Sequence, residues 1–256
     1  VLLPAGYDAP ENKSRRYGVL YLADGQNLFD PATSVFAPRE WHVDEIVARL
    51  VETGKIPPMI VVGVDNSGRT ARAHEYLPYP DELAKSEPGY EPAPQGKRYP
   101  EFLIDEVLPF INAHYRTLRD PAHTGIGGSS YGGLISSYVV TARPGVFGRL
   151  LSESATYRGY RYEDARSVTK WPERIVLGIG TNEDSRPGCQ PGPIPTLADS
   201  ARLDDMVLGV LTMDRFLRHA GLDASRLRLV VVPCGTHTAD AWAARLPEAL
   251  TFLFGP

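Results

Sequence analysis

Thr124-Gly125-Ile126-Gly127-Gly128-Ser129-Ser130-Tyr131-Gly132, followed by the helix-like run Leu134 to Ala142, is the stretch that decides the fold. A short β-type run enters a Gly-x-Ser-x-Gly pentapeptide, Gly128 to Gly132, and the chain then turns helical. This is a nucleophile elbow in a strand–turn–helix setting. A serine alcohol is a poor nucleophile in water. An enzyme that uses one holds it on a sharp turn beside a base, with backbone donors aimed at the developing oxyanion. The glycines two residues either side keep side chains out of that turn. The centre is Ser130, because a window on Ser129 would need glycine where Tyr131 stands.

A base and an acid are expected at later strand ends, in the chain order serine, acid, histidine. Only His219 and His237 lie downstream of Ser130. His219 falls in the amphipathic run Met213 to Ala220, which reads as a helix ending at Gly221, and is expected to be an ordinary helix residue. His237 follows the β-branched run Leu229-Val230-Val231-Val232 and a turn, and precedes a helix-like stretch from Ala239 to Leu253. A histidine in such a strand-to-helix loop can reach the elbow. The acid is expected after the strand Arg174 to Gly180, where Glu183 and Asp184 compete for one place. Glu183 is the first choice and Asp184 the alternative, since neighbouring loop residues point in different directions. For the oxyanion, the N–H of Tyr131 is one donor. The strand Tyr17 to Ala23 ends in Asp24-Gly25-Gln26-Asn27, where Gly25 permits a bend that turns the Gln26 N–H inward.

Four segments carry a resemblance: Val19 to Phe29, Gly127 to Gly133, Gly180-Thr181-Asn182-Glu183, and His237 through Trp242 to Pro247. Together they resemble the Putative esterase family of α/β-hydrolases, related to esterase D, to enterochelin-type esterases and to feruloyl and acetylxylan esterases. The likeness runs over nearly the whole chain. It implies an α/β-hydrolase fold and a serine carboxylic-ester hydrolase that needs no cofactor. Ser130, Glu183 and His237 fall on the family's triad positions, and Gln26 and Tyr131 on its oxyanion donors. The related feruloyl esterases carry aspartate where this chain has Glu183, which keeps Asp184 in contention. Gly25 and Asn27, in the loop after the first strand, are assigned to substrate binding.

The rest of the chain agrees with one catalytic domain spanning 1–256. With 43% hydrophobic residues it can fill a sizeable core. Strand candidates near 17–23, 59–64, 124–127, 149–153, 175–179 and 227–232 alternate with helical runs that include Trp41 to Leu50 and Glu101 to His114. That alternation implies a mostly parallel sheet with helices on both faces, and a site at the carboxyl ends of its strands. A net charge of −4 with scattered arginines argues against a nucleic-acid partner. No apolar run approaches the roughly 20 residues of a membrane span.

The irregular, proline-rich stretch 65–99 reads as a lid or substrate loop, with Tyr76, Tyr79 and Tyr90 as aromatic walls of the pocket. A second rim candidate is Ser185 to Leu197. His74, between Arg72 and Glu75, reads as an ion-pair or exposed loop histidine, and no metal site is expected. Cys189 follows the candidate acid and Cys234 precedes His237 by three residues, so a disulfide would tie the two loops and favour an oxidising compartment. Without that bond the reading is open between a cytoplasmic and a secreted or periplasmic protein. The chain begins at Val1, so a removed leader is compatible with it. The expected chemistry is two-step acyl transfer on small-molecule or carbohydrate-linked esters, such as acetyl or feruloyl esters. It requires neutral imidazole, which for a free histidine means above a pH of about 6.5. An acyltransferase, a siderophore-trilactone hydrolase and a noncatalytic binding module are the competing readings. Oligomeric state is not legible.

Overall fold

Parallel strands bury both faces, which suits the apolar runs Val19 to Leu22, Ile60 to Val62 and Ile175 to Leu177. In the computed structural model, which describes residues 1–34, 39–81, 85–86 and 90–256, those runs lie in the first, second and fifth strands of one six-stranded sheet. Its strands are β1 (Gly18–Ala23), β2 (Met59–Val64), β3 (Thr124–Ser129), β4 (Arg149–Glu153), β5 (Arg174–Gly180) and β6 (Leu227–Val232). The order is β2-β1-β3-β4-β5-β6, and every pairing is parallel. All six expected strands are present, with β3 running on to Ser129 at the edge of the elbow.

Successive side chains of a strand point to opposite faces. Val19 and Tyr21 therefore join one core, with Leu134, Ile135 and Val139, whereas Leu20 and Leu22 join another, with Ile46, Leu246 and Leu250. The helices are α1 (Val43–Glu52), α2 (Arg72–Tyr76), α3 (Tyr99–Glu101), α4 (Leu108–His114), α5 (Tyr131–Ala142), α6 (Tyr162–Ala165), α7 (Asp205–His219) and α8 (Ala239–Phe254). In α1 the buried residues Val43, Ile46, Val47 and Leu50 recur at the spacing of one helix face. Leu246, Ala249, Leu250 and Leu253 do the same in α8, and the two helices cover one face of the sheet together. Helix α5 is buried along nearly its whole length against β3 and β4 on the opposite face.

Two helices differ from the sequence reading. The run expected over 101–114 is interrupted by a π-helical stretch, Phe102–Val107, between α3 and α4. Pro109 lacks the N–H that would bond the Asp105 carbonyl, and the wider turn accommodates the gap. Helix α7 starts at Asp205, well before Met213, because Asp204 caps it: its Oδ1 accepts from the N–H groups of Met206 and Val207, both at 2.9 Å.

The chain leaves β1 toward one edge of the sheet, to β2, and returns to the other side of β1 as β3. The carboxyl ends of β1 and β3 thus flank the point where the connections diverge, the preferred place for a binding crevice in an open α/β sheet. Asp24 to Asn27 and Ser130 lie there.

Candidate active site

Ser130 has φ 57° and ψ −126°, a conformation that costs a non-glycine residue about 1–3 kcal/mol. The surrounding glycines explain how the chain affords it. A Cβ on Gly128 would lie 2.7 Å from the carbonyl carbon of Gly132, and one on Gly132 would lie 3.1 Å from both Ala23 Cβ and Asp24 Oδ2. Strand and helix can approach this closely only without side chains at those positions. The Ser130 N–H donates to the Glu153 carbonyl at 2.9 Å, which ties the elbow to the end of β4.

Of the two acids after β5, the structure brings Glu183 to the histidine. Its Oε2 lies 2.8 Å from His237 Nδ1, and its side chain is 1% exposed. Glu183 Oε1 accepts from the Gly180 N–H and from Ser154 Oγ, each at 2.7 Å. Burial pushes the Glu183 carboxyl up. The hydrogen bonds from His237, Gly180 and Ser154 and the charge of His237 outweigh it, and the group titrates below the usual carboxylate range. An ionised carboxylate can only accept, so Nδ1 is the donor and Nε2 is the imidazole's remaining nitrogen. Asp184 is turned outward and paired with Arg186 at 2.6 Å.

Ser130 and His237 line the same cleft, of about 390 Å³, together with Asn27, Trp41, Arg72 and Trp242. The serine and the imidazole are not hydrogen-bonded to one another among the described residues. Such a contact often tightens only when substrate is bound. Trp242 meets the His237 ring edge to face at 5.0 Å, and Trp41 packs on Trp242 at 5.5 Å.

The loop after β1 is built as carefully as the elbow. Asp24 is left-handed, at φ 60°, and a short 3-10 turn follows over Gly25–Asn27. Gln26 precedes the first hydrogen bond of that turn, donated by Asn27 N–H to the Asp24 carbonyl, and Tyr131 is the first residue of α5. Backbone N–H groups at these positions have no intrahelical partner. The Gln26 side chain is engaged elsewhere: its amide and the Asn66 main chain bond each other in both directions, at 3.2 and 3.4 Å. Asp24 holds the loop from below. Arg72 donates to both of its oxygens, at 2.8 and 2.7 Å, Asn66 Nδ2 donates at 2.6 Å, and the Asp24 N–H donates to Tyr76 Oη at 3.1 Å. Arg72 also reaches the Ser129 carbonyl at 3.4 Å. Burial alone would pull the Arg72 pKa down, but the Asp24 carboxylate more than restores it.

Several sequence expectations need correction here. Gly25 packs closely on β2, where a Cβ would lie 2.5 Å from Asp65 Oδ1 and 2.6 Å from the Gly63 carbonyl carbon, and it is not among the residues that line the cleft. Tyr76 and Tyr79 are core residues rather than walls. Tyr76 is fully buried beneath the Asp24 loop, while Tyr79 bonds Asp164 and packs edge to face on Tyr138. Tyr90 is half-buried against the same core and does not line the cleft. Asn27 does line it. The first part of the 65–99 segment is thus floor, through Asn66, Arg72 and Tyr76. Residues 82–84 and 87–89 of the expected lid lie outside the described residues. Reading the sequence missed Trp41 and Arg72 as cleft residues. No spacing marks Arg72, since its partner Asp24 is 48 residues away and joins it only through the β1–β2 pairing.

Cys189 and Cys234, left open by the sequence between a bonded and a free pair, form a disulfide with Cα atoms 5.8 Å apart. The exits of β5 and β6 are further joined by Cys234 N–H to Thr181 Oγ1, at 2.8 Å, and Asn182 N–H to the Gly235 carbonyl, at 2.9 Å. His74 sits 3.3 Å from Glu91, as an ion-pair histidine would. Among the described residues, only Glu40, His42 and Glu45 bring three metal-type donor atoms within 4.8 Å of one another, and none of them lines the cleft. No helix among the described residues is long and apolar enough to cross a membrane.

A family model described as "Putative esterase" matches residues 1–253. The chain belongs to the Esterase family. Relatives of this chain include the uncharacterized protein YbbA of Bacillus subtilis, 25% identical over 71% of the chain and 66% of YbbA. An endo-1,4-beta-xylanase/feruloyl esterase of Xylanibacter ruminicola is 28% identical over 72% of the chain and 22% of that protein. The chain therefore spans less than two thirds of the length of these relatives. Among solved structures, a ferulic acid esterase superposes with a TM-score of 0.65 at 21% identity, covering 98% of this chain and 90% of that one. The fold is that of the α/β-hydrolases.

Proposed function

We propose that this Esterase-family chain hydrolyses carboxylic esters through an acyl-enzyme on Ser130. His237 takes the serine proton through Nε2 as the oxygen attacks the ester carbonyl. Glu183 holds the Nδ1–H tautomer and stabilises the imidazolium. The backbone N–H groups of Gln26 and Tyr131 receive the oxyanion. The alcohol departs with the proton from His237, and water repeats the sequence to release the acid. The observation that carries this reading is the 2.8 Å contact between Glu183 and His237 beside a strained Ser130 in one cleft.

The substrate class is a small-molecule or carbohydrate-linked ester. The indoles of Trp41 and Trp242 give the cleft an apolar, aromatic side that favours a flat acyl group, and the feruloyl esterase named for the Xylanibacter relative supports the same direction. The bonded cysteines support folding in an oxidising compartment. A panel of p-nitrophenyl, feruloyl and acetylated-sugar esters, run against the wild type and Ser130→Ala, tests the proposal. Turnover that survives in Ser130→Ala would remove the serine mechanism, and product analysis with added alcohol acceptors separates hydrolysis from acyl transfer.

A further inference from the structure

Behind Glu183 lies a second layer of buried polar groups that the triad alone does not require. Ser154 follows β4, is fully buried, and has φ 44°. Its Oγ lies 3.0 Å from Trp242 Nε1, 3.0 Å from Arg245 Nη2 and 2.7 Å from Glu183 Oε1. A hydroxyl offers one proton and two lone pairs. Indole N–H and guanidinium N–H can only donate. Both lone pairs of Ser154 are therefore filled, and its one proton has a single acceptor left, Glu183. Arg245 is itself fixed: its Nε donates to Glu153 Oε2 at 2.6 Å in an ion pair whose side chains are 3% and 0% exposed. Space for that pair is cleared by Gly178, where a Cβ would fall 2.2 Å from Glu153 Oε2.

We propose that Ser154 is a positioning residue whose hydroxyl, oriented by Trp242 and Arg245, locks the Glu183 carboxylate ionised and with Oε2 toward His237. The inference rests on the triad reading above. With Ser154 and the Gly180 N–H both donating to Oε1, that oxygen is committed, and rotation of the carboxylate would strand two buried donors. The Glu153–Ser154 pair then serves both halves of the machinery. The Glu153 carbonyl holds the Ser130 main chain, and the Ser154 side chain holds the acid.

The test is a double-mutant cycle: Ser154→Ala in the wild type and in Glu183→Gln, with kcat and KM measured on a p-nitrophenyl ester. Loss of one hydrogen bond to a charged group predicts a kcat reduced about 10- to 100-fold in the wild-type background, with KM changed by less than about 3-fold. If Ser154 acts only through the Glu183 carboxylate, the same substitution reduces kcat by less than about 2-fold in Glu183→Gln. A purely structural defect would be equally large in both backgrounds and would overturn the proposal. Arg245→Lys keeps the charge opposite Glu153 but loses the fork that reaches Ser154. It is expected to give a smaller loss that likewise vanishes in Glu183→Gln, and it serves if Ser154→Ala does not fold. A crippled Glu183→Gln beside wild-type turnover in Ser154→Ala and Arg245→Lys would sink this proposal alone. An active Glu183→Gln would sink the triad and this proposal with it.

Discussion

Glu183→Gln separates the two candidate acids because the carboxylate accepts three hydrogen bonds that an amide cannot reproduce. Oε2 receives His237 Nδ1–H, and Oε1 receives the Gly180 N–H and Ser154 O–H. Glutamine has one acceptor oxygen and one NH₂. If its oxygen replaces Oε1, the two donors there remain satisfied, and the NH₂ meets His237 Nδ1. The imidazole must then carry its proton on Nε2, the nitrogen needed as the base. If the oxygen replaces Oε2, the NH₂ confronts a backbone N–H that cannot turn away. The first arrangement breaks one contact and the second breaks two, so the inactive tautomer should dominate. Substitutions that fix the wrong tautomer in serine hydrolases lower kcat by about 10⁴, equivalent to roughly 5.4 kcal/mol in the barrier. For this chain the proposed mechanism predicts a fall of about 10³ to 10⁴ in kcat, with KM little changed. Asp184→Asn removes only an exposed ion pair with Arg186 and should alter kcat by less than about 2-fold. Initial rates and burst amplitudes on p-nitrophenyl butyrate at pH 8 read both. A Glu183→Gln enzyme within tenfold of wild type, or a larger loss in Asp184→Asn, refutes the assignment.

Thiol titration of the denatured, unreduced protein should find no free cysteine, and Cys189→Ser with Cys234→Ser should lower the urea-unfolding free energy by about 2–4 kcal/mol for a closure of 45 residues. An unchanged midpoint would mean the bond adds no stability. Arg72→Met leaves the buried Asp24 carboxylate without its cation and should cost about 3–5 kcal/mol, along with activity, since the same carboxylate holds the loop that carries Gln26. Normal stability and turnover would contradict that role. The Glu183 carboxyl is lowered in the folded state, so its stabilising contribution is complete above the unfolded value of about 4.3 and disappears as pH falls through the folded-state value. The stability gap between wild type and Glu183→Gln, taken from denaturant midpoints, should therefore be larger at pH 7 than at pH 3. A gap that grows in acid would reverse the sign of the argument.

The six parallel strands and the positions of Ser130 and His237 at strand exits were legible because they depend on local pattern, whereas the order β2-β1-β3-β4-β5-β6 was not. A β-run, a glycine-framed turn and a helical run mark each strand exit wherever it lies in the sheet. The choice of Glu183 over Asp184 was not decided by local pattern, because adjacent residues differ only in direction. That direction is set by Ser154, 29 residues earlier, and by the Gly180 N–H. The tyrosines of the 65–99 stretch were misplaced for a related reason. A proline-rich run looks like a surface excursion, yet Tyr76 is drawn under the Asp24 loop by a hydrogen bond from a residue 52 positions away. Pairings of that separation leave no periodic trace. Arg245 was hidden in the same manner: on α8 it occupies a core-facing position, which composition alone assigns to an apolar residue, and only the buried Glu153 accounts for it.

The backbone carries the same division between local pattern and distant support. Of the non-glycine residues with positive φ, Asp24, Ser130 and Ser154 each follow directly on the last residue of β1, β3 and β4, and Cys234 lies two residues beyond β6. Each such conformation costs on the order of 1–3 kcal/mol, and together they are comparable to the whole stability of a typical domain. They persist because each is held by contacts from elsewhere in the chain. Asp24 has Arg72, Asn66 and Tyr76; Ser130 has the Glu153 carbonyl and the glycine-cleared packing of α5 on β3; Ser154 has Trp242 and Arg245; Cys234 has its disulfide and Thr181. A strand that simply continued would send its next side chain to one face of the sheet, into the helix layer rather than the cleft. The strained turns aim the Ser130 hydroxyl and the Asp24 loop at the cleft, and the Ser154 hydroxyl at Glu183 behind it. On this reasoning the clamps are as necessary to the proposed chemistry as the residues they aim, and removing one should cost turnover as well as stability.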